Sequence, residues 1–199
     1  MAPQRLAFYI DGFNLYFGLK DSGWRKYYWL NLQDLCLKLT RPNQEIKKIR
    51  YFTARITGPD RAKQSRQKTY LEALETLDLV EIHYGHYLYD PVECFKCGRI
   101  IADYSEKMSD VNLAIYLLTD ALDDLYDIAV LISADSDIEP GVKAVRKHAP
   151  NKKILLYFPP RRHSDSLRNA CHSYGGTLFK NRFAKSQFPE TVTVNTVMR

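Results

Sequence analysis

The sequence predicts one α/β domain around a mainly parallel β-sheet, and two features of the chain indicate this fold class. Apolar segments alternate with amphipathic helical segments from the N-terminus to about residue 180. The apolar run at residues 128–132 is unbroken, as in a strand that is buried on both faces of a sheet. Repeated strand–helix units form a parallel sheet with right-handed crossovers. A chain of 199 residues is long enough for one such domain.

Each predicted element follows from a local pattern. The predicted strands are apolar and rich in β-branched or aromatic residues, and they lie at residues 6–10, 46–56, 80–87, 128–132, 153–158 and 176–179. The predicted helices have apolar residues at helical spacing, and they lie at residues 31–40, 60–77, 110–125, 139–148 and 164–171. Pro59, Ser109 and Ser164 stand where helix starts are expected. Residues 87–104 interrupt the alternation and predict an inserted loop or hairpin.

The composition narrows the classes of function. Lys and Arg number 29 against 23 Asp and Glu, which gives a net charge of +6 and suits a polyanionic partner such as RNA. The chain has no apolar run long enough to span a membrane and no room for a signal peptide before the first strand, so we expect a cytoplasmic protein. Four cysteines in that compartment predict thiols or metal ligands. The oligomeric state stays open, a homodimer included.

Acidic residues follow two of the predicted strands. Asp11 comes directly after the first strand, and Asp135 and Asp137 follow the strand at residues 128–132. The carboxyl ends of parallel strands share one edge of the sheet, so these side chains are expected to meet there. Their mutual repulsion favours a bound cation, and carboxylates suit Mg²⁺ or Mn²⁺. The alternative for Asp11 is an ordinary N-cap of the next helix.

Further polar residues are expected at the same edge. Asp110 begins a crossover helix there, and Glu106, four residues earlier, could reach the same place. Asn14 is expected to orient a carboxylate or a water, with a helix cap or turn as the alternative. The expected substrate contacts at this edge are Ser133, Arg55, Arg161 and Arg162. The alternative for the arginines is a solvated loop.

Three segments carry a resemblance to a known family. Residues 8–15 (FYIDGFNL) resemble the opening motif of NYN domains, a branch of the PIN-like nuclease superfamily. Residues 106–114 and 127–137 resemble the second and third motifs of that family. Cys94-x-x-Cys97-Gly98, just before the second motif, is similar to the bacterial LabA-like group. The resemblance covers residue 6 to about residue 180.

The resemblance implies a PIN-like three-layer α/β/α fold and divalent-metal-dependent ribonuclease activity. It implies that Asp11, Asp110, Asp135 and Asp137 form the catalytic carboxylate set. The domain is expected at residues 1–183, with the insertion at about 87–104 and a C-terminal tail at 184–199. Two alternatives remain. One is a catalytically silent PIN-like module that binds RNA or protein. The other is a haloacid-dehalogenase-type phosphatase, which ranks last because the Asp-x-Asp of those enzymes is Asp11-Gly12-Phe13 here.

Cys94 and Cys97 have the spacing of half a zinc site. A second Cys-x-x-Cys pair does not occur in the sequence. His83 and His86 are near enough along the chain to complete a Cys₂His₂ set, although spacing alone does not establish one. Structural Zn²⁺ is therefore a hypothesis beside Mg²⁺ or Mn²⁺. Cys36 and Cys171 are expected to be buried apolar residues.

Overall fold

A computed structural model describes residues 2–89, 91–101 and 104–193. Its centre is a six-stranded parallel sheet with helices on both faces. The strands of this sheet are β1 (Gln4–Asp11), β2 (Gln44–Thr53), β3 (Val80–Tyr84), β8 (Ile128–Ile132), β9 (Lys153–Phe158) and β10 (Ser173–Thr177). They lie in the order β10-β9-β8-β1-β2-β3. The predicted three-layer α/β/α class is confirmed. No helix in the described ranges combines the length and apolar character needed to cross a membrane.

Successive side chains of β1 point to opposite faces of the sheet, and each face is covered by a layer of helices. Phe8 and Ile10 face one core and Ala7 and Tyr9 face the other, and all four are fully buried. The first core lies under α1 (Gly12–Asp21), α2 (Leu32–Leu39), α3 (Arg61–Leu74) and α7 (Lys180–Ala184). The second core lies under α4 (Ser109–Leu122), α5 (Glu139–His148) and α6 (Asp165–Ala170). A strand buried on both faces needs apolar residues at consecutive positions, as the sequence of β1 has.

The inserted segment forms a β-arm outside the main sheet. β4 (His86–Tyr89) pairs antiparallel with β7 (Tyr104–Lys107), and the short strands β5 (Val92–Glu93) and β6 (Ile100–Ile101) pair beyond them. The predicted third strand therefore ends at Tyr84 and does not continue to residue 87. Gly85 separates the two sheets, and the chain re-enters the domain at α4.

Two element boundaries differ from the prediction for clear reasons. The last strand lies at Ser173–Thr177, so it starts three residues earlier and ends two residues earlier than the predicted span of 176–179. It ends there because Leu178 turns into the core and Phe179 precedes α7. The segment from residue 184 onward was predicted as a tail. Ser186 and Phe188 are nevertheless buried, and Phe188 packs against Trp29 with ring centroids 5.3 Å apart. The chain therefore stays on the domain at least to Phe188.

A buried ion pair fastens α4 to the sheet. Arg50 on β2 donates to both carboxylate oxygens of Asp120 on α4, from Nε at 2.6 Å and from Nη2 at 2.8 Å. The Tyr9 hydroxyl donates to the same carboxylate at 2.6 Å. Both charged side chains are less than a tenth exposed. A bidentate pair of this kind sets the position of α4 along the strands, and α4 carries Asp110 at its other end.

Candidate metal centre

Three of the four predicted aspartates meet at the carboxyl edge of the sheet. Asp11 ends β1, Asp110 lies in the first turn of α4, and Asp135 follows β8. Each offers one carboxylate oxygen, and these oxygens lie within 4.8 Å of one another. Within the described ranges no other group of three His, Cys, Asp or Glu residues converges in this way. All three potential ligands are hard oxygens, which fits a cation such as Mg²⁺ or Mn²⁺.

Asp11 is held by two hydrogen bonds from its own neighbourhood. The backbone N–H of Asn14 donates to Oδ1 at 2.9 Å, and the Ser133 hydroxyl donates to Oδ2 at 2.8 Å. The first bond makes Asp11 the N-cap of α1. Asp11 therefore both caps this helix and belongs to the acidic cluster. Gly12 is needed beside it because a Cβ there would lie 2.7 Å from the Phe52 carbonyl oxygen.

Ser133 and Asn14 link the β1 edge to the β8 edge. The Ser133 hydroxyl accepts from the backbone N–H of Asp135 at 3.0 Å while it donates to Asp11. Asn14 Oδ1 accepts from the backbone N–H of Ala134 at 3.1 Å. Ser133, which was predicted to contact the substrate, is fully buried and has no surface to offer one. The hydrogen bonds of Ser133 suit a role in aligning Asp11 with Asp135, and the hydrogen bond of Asn14 suits the same role.

Asp110 reaches the centre through a strained turn at the end of the β-arm. Met108 precedes α4 with φ of 77°, a left-handed conformation that costs a non-glycine residue on the order of 1–3 kcal/mol. Glu106 Oε1 accepts from the backbone N–H of Ser109 at 2.9 Å and caps the helix start. Ser109, the predicted cap, makes no capping bond, and its buried hydroxyl has no protein hydrogen-bond partner. Glu106 therefore positions the turn that presents Asp110.

Asp137 lies outside the group of three. Its side chain is exposed, and its backbone N–H donates to Asp135 Oδ1 at 2.9 Å. Its charge helps to raise the pKa of Asp110, although burial and the charges of Asp11, Asp135 and Glu106 contribute more. The sequence could not distinguish Asp135 from Asp137, because both follow β8 within a few residues.

Burial and mutual repulsion make the metal-free centre hard to ionise. Burial raises the pKa of Asp11 to about 6, although the bonds from Asn14 and Ser133 oppose the shift. Burial raises the pKa of Asp110 to about 7, with the charges of Asp11 and Asp135 adding to it. A divalent cation would offset both effects, because its positive charge stabilises the ionised carboxylates.

Asp11 and Asp110 are expected to make the metal-free protein less stable as the pH rises from about 4 to about 7. Both acids ionise near 3.8 when unfolded, but in the folded protein they hold their protons to about 6 and about 7. At these two groups the folded state thus binds more protons in this window, and their contribution to the free energy of unfolding falls as the protons are released. The lowered pKa values of His83 and His172 act in the opposite direction. Mn²⁺ should offset the loss, since it binds the ionised carboxylates.

Thermal unfolding with EDTA and with Mn²⁺ tests this prediction. The rise in Tm caused by Mn²⁺ should be larger above the pKa of Asp110 than two units below it. Asp110→Asn should remove part of the fall in Tm with rising pH, because it removes one of the two carboxyl groups whose pKa is raised. The same change of Tm with pH in metal-free Asp110→Asn and in the metal-free parent protein would contradict the prediction.

The predicted basic residues lie at two ends of the edge. Arg55 is exposed, and its guanidinium lies 4.5 Å from the centroid of the Tyr84 ring. Arg161 and Arg162 lie beside the end of α1, where Arg162 pairs with the Asp21 carboxylate and Arg161 Nη1 donates to the Asp21 carbonyl oxygen at 3.4 Å. The arginines thus flank the acidic centre at both ends of the edge.

The structure makes His83 unsuitable for the hypothetical zinc site. Its ring is buried, its Nε2 lies 3.0 Å from Arg50 Nη1, and it stacks against Phe52. Cys94 and Cys97 are free thiols in the β-arm. Hydrogen bonds from the backbone of Lys96, and from the side chain and backbone of Cys97, lower the pKa of Cys94. A thiolate favoured in this way suits a metal, but within the described ranges no third ligand joins the pair.

Aromatic side chains that border the centre were not predicted as site residues. Phe13 stacks against Phe17 on α1 and against Tyr87 on the β-arm. The available signal was the four-residue spacing of Phe13 and Phe17, which puts both on one face of a helix. The contact with Tyr87 spans two elements far apart in the sequence, so no local pattern indicates it.

The chain is similar to known proteins in sequence and in fold. A family model described as the NYN domain matches residues 5–175. The chain is 30% identical over 179 residues to 6-hydroxy-3-succinoylpyridine 3-monooxygenase HspA of Pseudomonas putida (strain DSM 28022 / S16). That match covers 73% of this chain and 57% of HspA, so the chain spans little more than half the length of that relative. The crystal structure of a protein of unknown function, VPA0982 from Vibrio parahaemolyticus RIMD 2210633, matches with a TM-score of 0.58 at 17% identity. The match covers 94% of this chain and 98% of VPA0982, and it shows a similar fold.

Proposed function

The chain belongs to the NYN domain family, and on this premise we propose that it is a divalent-metal-dependent ribonuclease that hydrolyses RNA phosphodiester bonds. NYN domains are typically nucleases. The observation that carries the proposal is the convergence of Asp11, Asp110 and Asp135 oxygens within 4.8 Å at the edge of a parallel sheet. An acidic pocket of this kind on a chain of net charge +6 suits a site that holds a phosphate backbone through a metal.

The roles of the residues follow from their contacts. Asp11, Asp110 and Asp135 would hold Mg²⁺ or Mn²⁺, which when bound activates a water and stabilises charge on the phosphodiester. Ser133 keeps Asp11 and Asp135 in register through its two hydrogen bonds. Asn14 ties α1 to the β8 loop and so fixes the distance between these carboxylates. Asp137, whose side chain is exposed, would act through water.

The direct test is cleavage of a labelled RNA by the purified chain. We expect products with Mg²⁺ or Mn²⁺ and none with EDTA. The alternative is a silent module that binds RNA or protein, and the convergence of Asp11, Asp110 and Asp135 argues against it. RNA binding without cleavage in either metal would support the silent module. HspA is named as a monooxygenase, and nothing in the described site favours carrying that reaction to this chain.

Arg161→Ala with Arg162→Ala is expected to weaken RNA binding and flatten its dependence on salt. Each phosphate contact contributes about one unit to the log–log slope of affinity against salt, so the pair should remove up to about two. The Asp21 pairing of Arg162 already offsets part of its charge and limits its share of the effect. Fluorescence anisotropy in EDTA measures binding without cleavage.

Lys47→Ala with Lys48→Ala is the matched control for the arginine pair. It removes two positive charges from β2, nearer the opposite edge of the sheet. We expect it to leave the salt slope almost unchanged. Equal slopes for the arginine variant and the parent protein would show that Arg161 and Arg162 do not contact phosphate.

Several finer assignments are part of the same proposal. The Cys94-x-x-Cys97-Gly98 segment supports membership of the LabA-like group and a Zn²⁺ site in the β-arm. The cytoplasmic location and a homodimer stay predictions. Metal analysis of the purified protein before and after Cys94→Ser tests the zinc assignment independently of RNA cleavage.

A further inference from the structure

We propose that Phe13 and Phe17 form a stacking site for an unpaired nucleobase beside the metal centre. The inference rests on the proposed ribonuclease function and identifies side chains that would hold a nucleotide next to the cleaved bond. It assigns a binding role to aromatic residues that the metal chemistry does not use.

The two rings lie in a row that starts at the acidic centre. Phe13 follows Asp11 by two residues, and Phe17 follows one helical turn later, about 6 Å further along α1. Lys20 continues the same face of the helix one turn beyond. A nucleotide on this face would therefore have its phosphate within reach of the centre.

The ring planes are arranged for stacking. Phe13 and Phe17 are inclined by 29° with centroids 6.4 Å apart. Tyr87, on the β-arm, is inclined to Phe13 by only 13° at 6.3 Å. Tyr87 stands opposite Glu106 in the pairing of β4 with β7, so the same arm supports both the ring row and the turn before Asp110. Phe17 is 38% exposed, so part of this residue is accessible to a ligand from solvent.

The charges beside the rings identify the kind of occupant. Lys20 Nζ lies 5.4 Å from the centroid of Phe17, and Arg161 and Arg162 reach the same end of α1. Aromatic faces interleaved with cations match a nucleotide, which has a flat base and a negative phosphate. A base paired in a duplex has no free face, so this surface would select unpaired RNA.

The test measures binding in EDTA, where cleavage is absent. The probes are a labelled oligoadenylate and the same strand annealed to its complement. Phe17→Ala should weaken binding to the single strand about tenfold, while Phe17→Trp should restore it, because every base can stack on an aromatic ring. Duplex binding should change little in either variant. Phe179→Ala, which removes a ring that is 70% exposed at the start of α7, is the matched control and should have no effect.

Two results would overturn the stacking site. One is single-strand affinity within twofold of the parent protein in Phe17→Ala, and the other is an equal loss for single strand and duplex. Thermal unfolding of Phe17→Ala and Phe17→Trp shows whether either change acts through the fold. Cleavage in Mn²⁺ is scored separately. Phe17-dependent binding without cleavage would refute the ribonuclease proposal alone, and cleavage without any Phe17 effect would refute the stacking site alone.

Discussion

Asp135→Asn is expected to abolish RNA cleavage while RNA binding stays close to that of the parent protein. The change removes one charged oxygen from the group of three within 4.8 Å, so a divalent cation would lose a ligand that it needs. The expected loss of cleavage rate is at least about 100-fold, because the missing interaction stabilises the transition state. Binding measured in EDTA should be equal or slightly tighter, since one negative charge no longer repels phosphate.

The fold should tolerate this substitution. Asp135 Oδ1 accepts from the backbone N–H of Asp137, and the amide oxygen of asparagine can accept the same bond. Asp78→Asn, on an exposed residue that precedes β3 at the opposite edge, is the matched control and should cleave normally. Equal cleavage by the parent protein and Asp135→Asn would place the activity at another site or in a contaminant.

Asp120→Ala is expected to cause the largest loss of stability. It would leave the buried Arg50 guanidinium without its bidentate partner and the Tyr9 hydroxyl without its acceptor. Removal of one member of a buried pair costs about 3–5 kcal/mol. Glu81 lies 3.1 Å from Arg50 and retains part of the compensation, so we expect the lower end of this range. In a chain of this length, that corresponds to a fall in Tm of about 6–12 °C.

Two further variants separate charge from packing. Arg50→Met combined with Asp120→Leu should recover much of the lost stability, because it replaces both charges by apolar groups. Tyr9→Phe should cost about 1 kcal/mol, since it removes one hydrogen bond and leaves the ion pair intact. Thermal unfolding measures all three variants. If Asp120→Ala unfolds within about 1 °C of the parent protein, the pair does not hold α4 to the sheet.

Local patterns predicted most of the secondary structure. The uninterrupted apolar runs of β1, β8 and β9 have the composition of strands buried on both faces, and each was placed within a few residues. Asn31, Asp60 and Ser164 cap α2, α3 and α6 with side-chain bonds to the third residue beyond, which is a short-range contact that sequence alone can indicate. The position of the acidic centre followed in the same way, because acids directly after parallel strands must lie at one edge.

Long-range contacts decided the composition of that centre. The turn after Asp135 leaves Asp137 exposed, and the return of the β-arm through Met108 brings Asp110 beside Asp11. No local sequence pattern predicts either position, because each depends on how the intervening chain packs. The buried position of Ser133, which removed it from the substrate contacts, has the same origin.

The sequence by itself determined the fold class, the edge of the sheet where the acids lie and the kind of cation they suit. Those properties depend on residue type and on spacings of a few residues. Only the tertiary structure decided that Arg50 pairs with Asp120, 70 residues away, and that Tyr87 stacks on Phe13. Such pairs form because the folded backbone brings distant segments into one volume where burial makes each contact strong. No spacing along the chain records which segments those are.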